Sequence, residues 1–334
     1  MKHHFADFLD RDEGYWTIIP NSDRYQYSMA DVPTGSKQIT IATVGRDEKN
    51  WKRIFSFPNL EELTLHEPTK EQLGSIGELS QLKRLRITHS RPKNIEFIAK
   101  LELIEEIVLE YVSGFSDLSP LRNLQKLRSL HIENLRRVTD FEGLSGIRSL
   151  KYLSIYGTLD WKQPIVNFEF LGGLPSLEMF VLWQVASSQP YPALGPLINL
   201  KNLKTLKIPN NIFATEEYAL IEAGLPEVNG AKWNVCSVVG DWIPLPNNDI
   251  RSRLPVEIIR AKYPEVIVRT DGKRRVVDPK TAWYEFLGKG AGRAKCGSVS
   301  AETKCLAIKE RYNQMKAKAR QLIELSEGQS RNPQ

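Results

Sequence analysis

Apolar residues recur at every third position, and then at every second position, along the chain between residues 73 and 206. One cycle reads Leu73, Ile76, Leu79, Leu82, Leu85 and Ile87. The two-residue spacing at the end of a cycle predicts a short strand with one buried face, and the three-residue spacing predicts a 3₁₀ or short helical return. Because one such unit cannot bury its apolar face alone, the repeat predicts a solenoid of stacked units around a continuous core.

Paired apolar residues at the strand positions mark seven clear repeats, spaced by 22 to 27 residues. The pairs are Leu63/Leu65, Leu85/Ile87, Ile107/Leu109, Leu130/Ile132, Leu153/Ile155, Phe180/Leu182 and Leu206/Ile208. Ile39 and Ile41 alternate in the same way 24 residues before the first pair, so we predict a degenerate first repeat there.

The strand residues beside each apolar pair are predicted to face away from the core, because side chains alternate along a strand. Charged residues dominate these positions in the early repeats, and aromatic residues and methionine dominate them later. The candidate protein contacts are Arg84, Arg86, Glu110, His131, Glu133, Tyr152, Tyr156, Met179, Val181 and Trp183. Exposed clusters of this composition are typical of interface hot spots. The alternative is that the loops at residues 157–167 and 184–195 cover the rings as additional core.

The segment Asp117–Leu127 (DLSPLRNLQKL) resembles a repeat of the leucine-rich repeat family, in particular of its short, internalin-like class, over residues 36–230. The resemblance implies an α/β solenoid with a curved parallel sheet on its concave face and short helical or 3₁₀ returns on its convex face. The family usually has Asn or Cys three residues after the second strand leucine, and only Asn211 matches. We therefore expect a less regular solenoid, in which buried backbone groups find other partners.

The predicted domain organisation has four parts. Residues 1–35 form an N-terminal cap, 36–230 a solenoid of about eight repeats, 231–248 a linker, and 249–334 a small basic α+β unit. An Asp-Gly pair between two β-branched runs predicts a hairpin around Asp271. From Ser300 onward a helical stripe is expected to pack on this hairpin or on the last repeat. It consists of Ala301, Cys305, Ile308, Tyr312, Met315, Ala319 and Leu322.

Positive charge is concentrated near the end of the chain. The formal net charge is +6, but residues 251–320 contain 18 Lys or Arg against 7 Asp or Glu. Such an excess favours nucleic acid, an anionic membrane surface or an acidic protein as a partner, and a solvated tail domain is an equal alternative. The candidate nucleic-acid contacts are Lys273, Arg274, Arg275, Lys289, Arg293 and Lys295. The glycine-rich segment 288–293 lacks the ending of a phosphate-binding P-loop, so a mobile basic loop is expected.

Catalytic and metal-binding chemistry is not indicated. Three cysteines are too few for a disulfide framework, which favours a reducing, cytoplasmic location. Cys296 and Cys305 have no further zinc ligands near them in the sequence. The N-terminus has no secretory signal, and no apolar run is long enough for a transmembrane helix. His131 near Glu133 is the one candidate general base, and no nucleophile accompanies it. We expect no enzyme activity, cofactor or metal.

These observations predict a non-catalytic, cytoplasmic module that binds another protein on its concave face. The resemblance together with the missing signal favours a bacterial protein, and one specific version is an immunity or inhibitor protein that covers a toxin's active site. The alternative is a nucleic-acid-associated protein that uses the basic C-terminal unit, with the repeats recruiting a partner. Neither alternative specifies the partner.

Overall fold

The computed structural model describes residues 9–10, 17–18, 29–245, 248–263, 267–269, 275–278 and 280–330. Within them the chain divides into two compact units. The first contains the repeats up to Ile212 together with Glu227–Ala231, and the second contains Phe213–Pro226 and the chain from Lys232 onward. The expected N-terminal cap, residues 1–35, lies largely outside the described residues. Those of its residues that are described are the paired strands β1 (Leu9–Asp10) and β2 (Thr17–Ile18) and the segment 29–35.

Eight parallel strands form one sheet in the first unit, in chain order, so the predicted leucine-rich repeat solenoid is confirmed. The strands are β3 (Ile41–Gly45), β4 (Glu62–His66), β5 (Arg84–Ser90), β6 (Glu106–Val112), β7 (Ser129–Glu133), β8 (Tyr152–Tyr156), β10 (Met179–Trp183) and β12 (Thr205–Lys207). Two further strands, β9 (Gln163–Pro164) and β11 (Val185–Ala186), pair in parallel after β8 and β10.

The returns between strands are short helices, as the three-residue spacing predicts. The 3₁₀ segments are Trp51–Ser56, Ile76–Glu78, Glu96–Lys100, Ser119–Asn123, Glu142–Leu144, Glu169–Gly173 and Gly195–Asn199. One α-helix, α1 (Lys70–Ser75), begins with a capping box in which Thr69 and Gln72 exchange hydrogen bonds. The apolar residues of strands and returns that face the core are buried, which gives the stacked core that isolated repeats lack.

The first repeat differs from the prediction by its register. Ala42 pairs with Leu63 and Val44 with Leu65, so these two residues face the core instead of Ile39 and Ile41. Both Ala42 and Val44 are fully buried. The small Ala42 carries a weaker hydrophobic signal than the isoleucines before it, which explains the misplaced strand.

Glutamine side chains replace the missing asparagine ladder in part of the solenoid. Gln163 is buried, accepts a hydrogen bond from the amide of Leu135 at 3.0 Å and donates one to the carbonyl of Val138 at 2.6 Å. Gln72, also buried, donates to the carbonyl of Gly45 at 3.0 Å. The backbone groups do find other partners as expected, and the adjacent strands keep a continuous register despite the missing asparagines.

Among the described residues, the second unit contains two small antiparallel sheets, three α-helices and the 3₁₀ segment Ile250–Ser252. Its strands are β13 (Cys236–Val239), β14 (Ile243–Pro244), β15 (Ile267–Arg269), β16 (Arg275–Val277), β17 (Trp283–Phe286) and β18 (Arg293–Lys295). Its helices are α2 (Thr215–Gly224), α3 (Val256–Lys262) and α4 (Ala301–Ser330). Pairing of β15 with β16 confirms the hairpin, whose Asp-Gly turn lies outside the described residues. The expected linker 231–248 contains β13 and β14, which pair with β17 and β16.

In the stripe on α4, Ala301, Cys305, Tyr312 and Ala319 are buried, Ile308 and Met315 are half-buried, and Leu322 is exposed. Its first turns pack on the sheet of β13, β17 and β18 through Cys305 and Phe286. Further along, the hydroxyl of Tyr312 donates to the carboxylate of Glu222 on α2 at 2.7 Å. The stripe therefore packs against α2 as well, a helix that the repeat pattern did not predict.

Candidate functional site

The strand register places the predicted contact residues on one face of the sheet, opposite the core, which we call the outer face. Its central row is Thr43, Thr64, Arg86, Val108, His131, Ser154, Val181 and Lys207. The row before it includes Arg84, Tyr152 and Met179, and the row after it includes Glu110, Glu133, Tyr156 and Trp183. All ten candidate contacts therefore lie on the same face.

In the early repeats the charged residues of the outer face bind one another. Arg86 is fully buried, and its Nη2 and Nε lie 2.6 and 2.7 Å from Oε2 of Glu110. Arg84 pairs with Glu62 on one neighbouring strand and with Glu106 on the other, the latter at 3.2 Å. The predicted contacts Arg84, Arg86 and Glu110 thus belong to an internal ion-pair network between repeats.

In the later repeats the apolar residues of the outer face form a cluster of their own. Tyr152, Met179 and Val181 are buried together, and Tyr156 packs against them. Trp183, at the end of β10, is 48% exposed. Along β10, the outer face therefore changes from the buried Met179 and Val181 to the exposed indole of Trp183. Among the predicted aromatic contacts, Trp183 is the most exposed.

A cavity of about 120 Å³ lies among these residues, and we call it the outer-face cleft. It is lined by His131, Glu133, Tyr152, Tyr156, Met179, Val181 and Lys207. Lys207 was not among the predicted contacts, although it follows Val181 by one 26-residue repeat in the central row and is exposed. The cleft thus combines a mostly apolar floor with one acidic and one basic side chain.

His131 forms part of the cleft wall in an unusual state for a buried polar residue. Its side chain is 4% exposed, and neither ring nitrogen has a hydrogen-bond partner among the described residues. Oε2 of Glu133 lies 3.9 Å from Nε2, and the ring of Tyr156 lies 5.0 Å away between centroids. A buried polar group without a partner costs about 1–3 kcal/mol, so a ligand group that reaches this imidazole gains that interaction.

The phenols of the cleft remain protonated donors over the physiological range. Burial raises the pKa of Tyr152. Burial, followed by the negative charge of Glu133, also raises the pKa of Tyr156. An uncharged hydroxyl donates a hydrogen bond, whereas a phenolate does not. The cleft therefore presents polar groups suited to recognising a side chain of another molecule.

Among the described residues, the cleft brings no nucleophile into contact with His131. Ser154 lies opposite His131 in the strand register, but no hydrogen bond joins its hydroxyl to the imidazole in the part of the chain described. A nucleophile activated by a base requires that contact. The described residues contain no group of three or more His, Cys, Asp or Glu side chains arranged for a metal ion. What the arrangement does provide is a small cleft with polar groups in its wall.

The predicted basic contacts lie in the second unit. Arg275, Lys289, Arg293 and Lys295 are exposed, whereas Lys273 and Arg274 lie outside the described residues. The guanidinium of Arg293 lies over the ring of Trp283, 4.7 Å from its centroid. The expected mobile loop 288–293 is the turn between β17 and β18, and the amide of Phe286 donates to the carbonyl of Gly292 at 3.1 Å. A Cβ atom on Gly288 would lie 2.4 Å from the hydroxyl oxygen of Thr215, which explains why this position is a glycine.

The three cysteines are buried and unlinked. Burial raises the pKa of the Cys236 thiol to about 12. Among the described residues, no helix has the length and apolar character that crossing a bilayer requires.

Comparisons with known proteins give structural neighbours only. No protein-family model matches the sequence, and no curated protein matches it. Internalin C2 from Listeria monocytogenes is 24% identical, with 50% of this chain and 70% of that chain covered and a TM-score of 0.39. Internalin F from the same species is 22% identical, with 57% and 59% covered and a TM-score of 0.39. A leucine-rich repeat protein from Leptospira interrogans is 19% identical, with 53% and 56% covered and a TM-score of 0.30.

Proposed function

We propose that this leucine-rich repeat chain is a non-catalytic protein-binding module that contacts its partner through the outer-face cleft and the adjacent Trp183. The observation that carries the proposal is the cleft itself, in which a buried, unpaired imidazole faces a cavity beside an exposed indole. Tryptophan is enriched among the residues that dominate interface energies. A partner side chain that fills the cavity and hydrogen-bonds to His131 uses both features at once.

The charged half of the outer face has a different role in this proposal. Because Arg86 and Glu110 already pair with each other and are buried, they hold neighbouring repeats together and shape the surface. The contact area is therefore centred on β7 to β12, and it includes Glu133 and Lys207 as charged groups beside the cleft. An inhibitor or immunity-type role, in which the cleft covers a functional surface of the partner, is the more specific form of this proposal.

The test is quantitative retention of a protein by the immobilised full chain from lysate of its native cells, after nuclease treatment. The informative variants are Trp183→Ala and His131→Phe, and the matched control is Arg148→Glu on the return side, where the arginine is exposed. We expect one protein in stoichiometric amount, with retention reduced about tenfold or more by Trp183→Ala and unchanged in the control. Equal retention by the wild type and both cleft variants would contradict the proposal.

A second candidate function is nucleic-acid binding by the second unit. Arg293 stacked over the exposed Trp283, with Lys289 and Lys295 also exposed, combines cations with an aromatic face. Binding of a single-stranded oligonucleotide should fall steeply with salt and should be lost on charge reversal at Arg293 and Lys295. If the double reversal leaves oligonucleotide binding unchanged, this candidate is eliminated, and Trp183→Ala should not affect it in either case.

A further inference from the structure

A second, larger cavity of about 570 Å³ lies where strands β3 to β7 end, and we call it the edge groove. Among the described residues, it shares no lining residue with the outer-face cleft. In three neighbouring repeats the backbone at this edge has a positive φ angle, at His89 (53°), Tyr111 (55°) and Asn134 (55°). This left-handed conformation is uncommon for residues other than glycine. Because it recurs in successive repeats, the chain leaves the sheet in the same way each time.

The strand register gives Arg91, Ser113 and Arg136 equivalent positions in these three repeats. Each lies two residues after the left-handed residue, and the pairing of β5 with β6 and of β6 with β7 makes those residues equivalent. The two arginines therefore flank the serine, and all three residues line the groove. Arg46 also lines the groove but lies at the register of Glu67, whose carbonyl accepts a hydrogen bond from its Nε at 3.2 Å.

The edge groove carries positive charge. Three arginines and one glutamate line it, which gives a formal net charge of +2. The glutamate is already paired, since Oε2 of Glu67 lies 3.8 Å from Nη2 of Arg46. Arg91 and Arg136 are exposed and form no ion pair with any carboxylate that the structure describes, and Nε of Arg136 lies 3.4 Å from the neutral amide oxygen of Asn134. The groove therefore offers two guanidinium groups to an anionic ligand.

A buried hydroxyl and a pair of stacked rings complete the groove wall. Ser90 is 4% exposed, and its hydroxyl has no hydrogen-bond partner among the described residues. The rings of His89 and Tyr111 stack in parallel at 4.8 Å and 3°. Tyr111 is exposed, and the equivalent residue of the next repeat is the buried Asn134, so the aromatic stack ends at Tyr111. The groove thus combines cations, an unpaired hydroxyl and a ring on which a planar group can stack.

We propose that the edge groove binds a nucleoside 5′-monophosphate, with the phosphate between Arg91 and Arg136 and the base against the ring of Tyr111. A phosphate monoester carries a charge of about −1.5 to −2 at pH 7, which neutralises the groove. Arginine binds phosphate oxygens through two-pronged hydrogen bonds, and bases stack on aromatic side chains. The volume of the groove also lies in the range of about 300–1,000 Å³ that is usual for small-molecule sites.

Two other ligands share part of this chemistry and serve as competitors in the test. A nucleic-acid strand carries a single negative charge for each internal phosphate, so it places less charge between the two arginines than a monoester does. A phosphotyrosine side chain has the charge of the monoester, but it joins a phenyl ring directly to the phosphate. Because the groove and the outer-face cleft are lined by different residues, this inference does not depend on the function proposed for the cleft.

The test titrates the full chain with adenosine, guanosine, cytidine and uridine 5′-monophosphate in an isothermal calorimeter at low ionic strength. We expect saturable binding of at least one nucleotide. Arg91→Gln should weaken that binding about tenfold or more, because it removes a charged hydrogen-bond donor to the phosphate. Arg148→Gln, the same change at an exposed arginine outside the groove, should leave it unchanged. Circular dichroism confirms that each variant is folded.

Tyr111→Asn examines the contact with the base. Asparagine tolerates the left-handed conformation and already occupies the equivalent position at Asn134. This variant should bind the nucleotide about fivefold or more weakly and should bind inorganic phosphate as the wild type does. The proposal is overturned if no nucleotide binds saturably, or if Arg91→Gln or Tyr111→Asn leaves the affinity unchanged. It is equally overturned if inorganic phosphate, a phosphotyrosine peptide or an oligoribonucleotide with hydroxyl ends binds as tightly as the nucleotide.

Discussion

The ion pair between Arg86 and Glu110 gives a quantitative prediction for the stability of the solenoid. Both residues are buried, and the guanidinium contacts one carboxylate oxygen through two nitrogens at 2.6 and 2.7 Å. Glu110→Gln removes the negative charge and leaves the shape nearly unchanged. It therefore leaves the Arg86 cation buried without its charged partner.

The expected cost follows from that burial. Breaking a buried pair by changing one member typically costs about 3–5 kcal/mol, since the remaining charge stays desolvated. Replacing both members by apolar residues of similar volume, as in Arg86→Met with Glu110→Leu, is expected to be neutral or to stabilise by about 1–4 kcal/mol. The changes in the free energy of unfolding of the single and the double variant should thus have opposite signs, or differ by several kcal/mol.

Amide hydrogen exchange with mass spectrometry measures this change locally, which matters because the chain has two compact units and unfolding need not be two-state. Peptides covering β5 and β6 should exchange about two to three and a half orders of magnitude faster in Glu110→Gln than in the wild type, at about 1.4 kcal/mol for each factor of ten. The double variant should retain wild-type protection.

The control is Lys52→Met, which breaks a pair with Glu71 whose side chains are 68% and 62% exposed. Exposed pairs contribute about 0–1 kcal/mol, so exchange should change little. If Glu110→Gln is no more costly than this control, or if the apolar double variant is as destabilised as the single one, the reasoning about the buried network is refuted.

Three further outcomes test other parts of the structure. Gln163→Ala removes two buried hydrogen bonds to backbone groups and should cost about 2–4 kcal/mol, measured as a lower thermal midpoint for the solenoid. Tyr312→Phe removes a hydrogen bond to the Glu222 carboxylate. It should lower the free energy of detaching α4 by about 1.5–3 kcal/mol, measured as faster proteolysis of that helix. Burial raises the pKa of the Cys236 thiol to about 12. The contribution of the protonated thiol to the free energy of unfolding is therefore complete below about pH 9 and is lost as the pH rises through 12. Cys236→Ala should flatten that alkaline decline in urea midpoints.

The repeat pattern predicted much of the first unit because period and burial reinforce each other there. Pairs such as Leu130/Ile132 recur at 22 or 23 residues, and any shift by one residue would expose them, so the register was determined in advance. The first repeat was misplaced because Ala42 and Val44 compete with the more hydrophobic Ile39 and Ile41.

Accessibility on the outer face could not be predicted in the same way. Side-chain alternation correctly placed Arg84 and Tyr152 opposite the core, but their burial depends on partners contributed by neighbouring repeats, such as Glu106 for Arg84. Pairings of this kind connect residues 22 apart in sequence, and both charge signs occur at many such positions. Aromatic content alone likewise did not separate the buried Tyr152 from the exposed Trp183.

In the second unit, β13 pairs with β17 far along the sequence, and a four-residue strand such as Cys236–Val239 is too short for a periodic pattern from which that pairing could be predicted.

The most direct test of the proposed function replaces Trp183 with a photo-crosslinking phenylalanine analogue and compares it with the same analogue at position 148. Each full-length variant is irradiated in its native cells, and the crosslinked protein is identified by mass spectrometry. The account predicts one dominant protein adduct from position 183, absent from position 148 and competed away by the unlabelled wild-type chain. Adducts of the same proteins in equal yield from both positions would contradict a specific contact at the outer-face cleft.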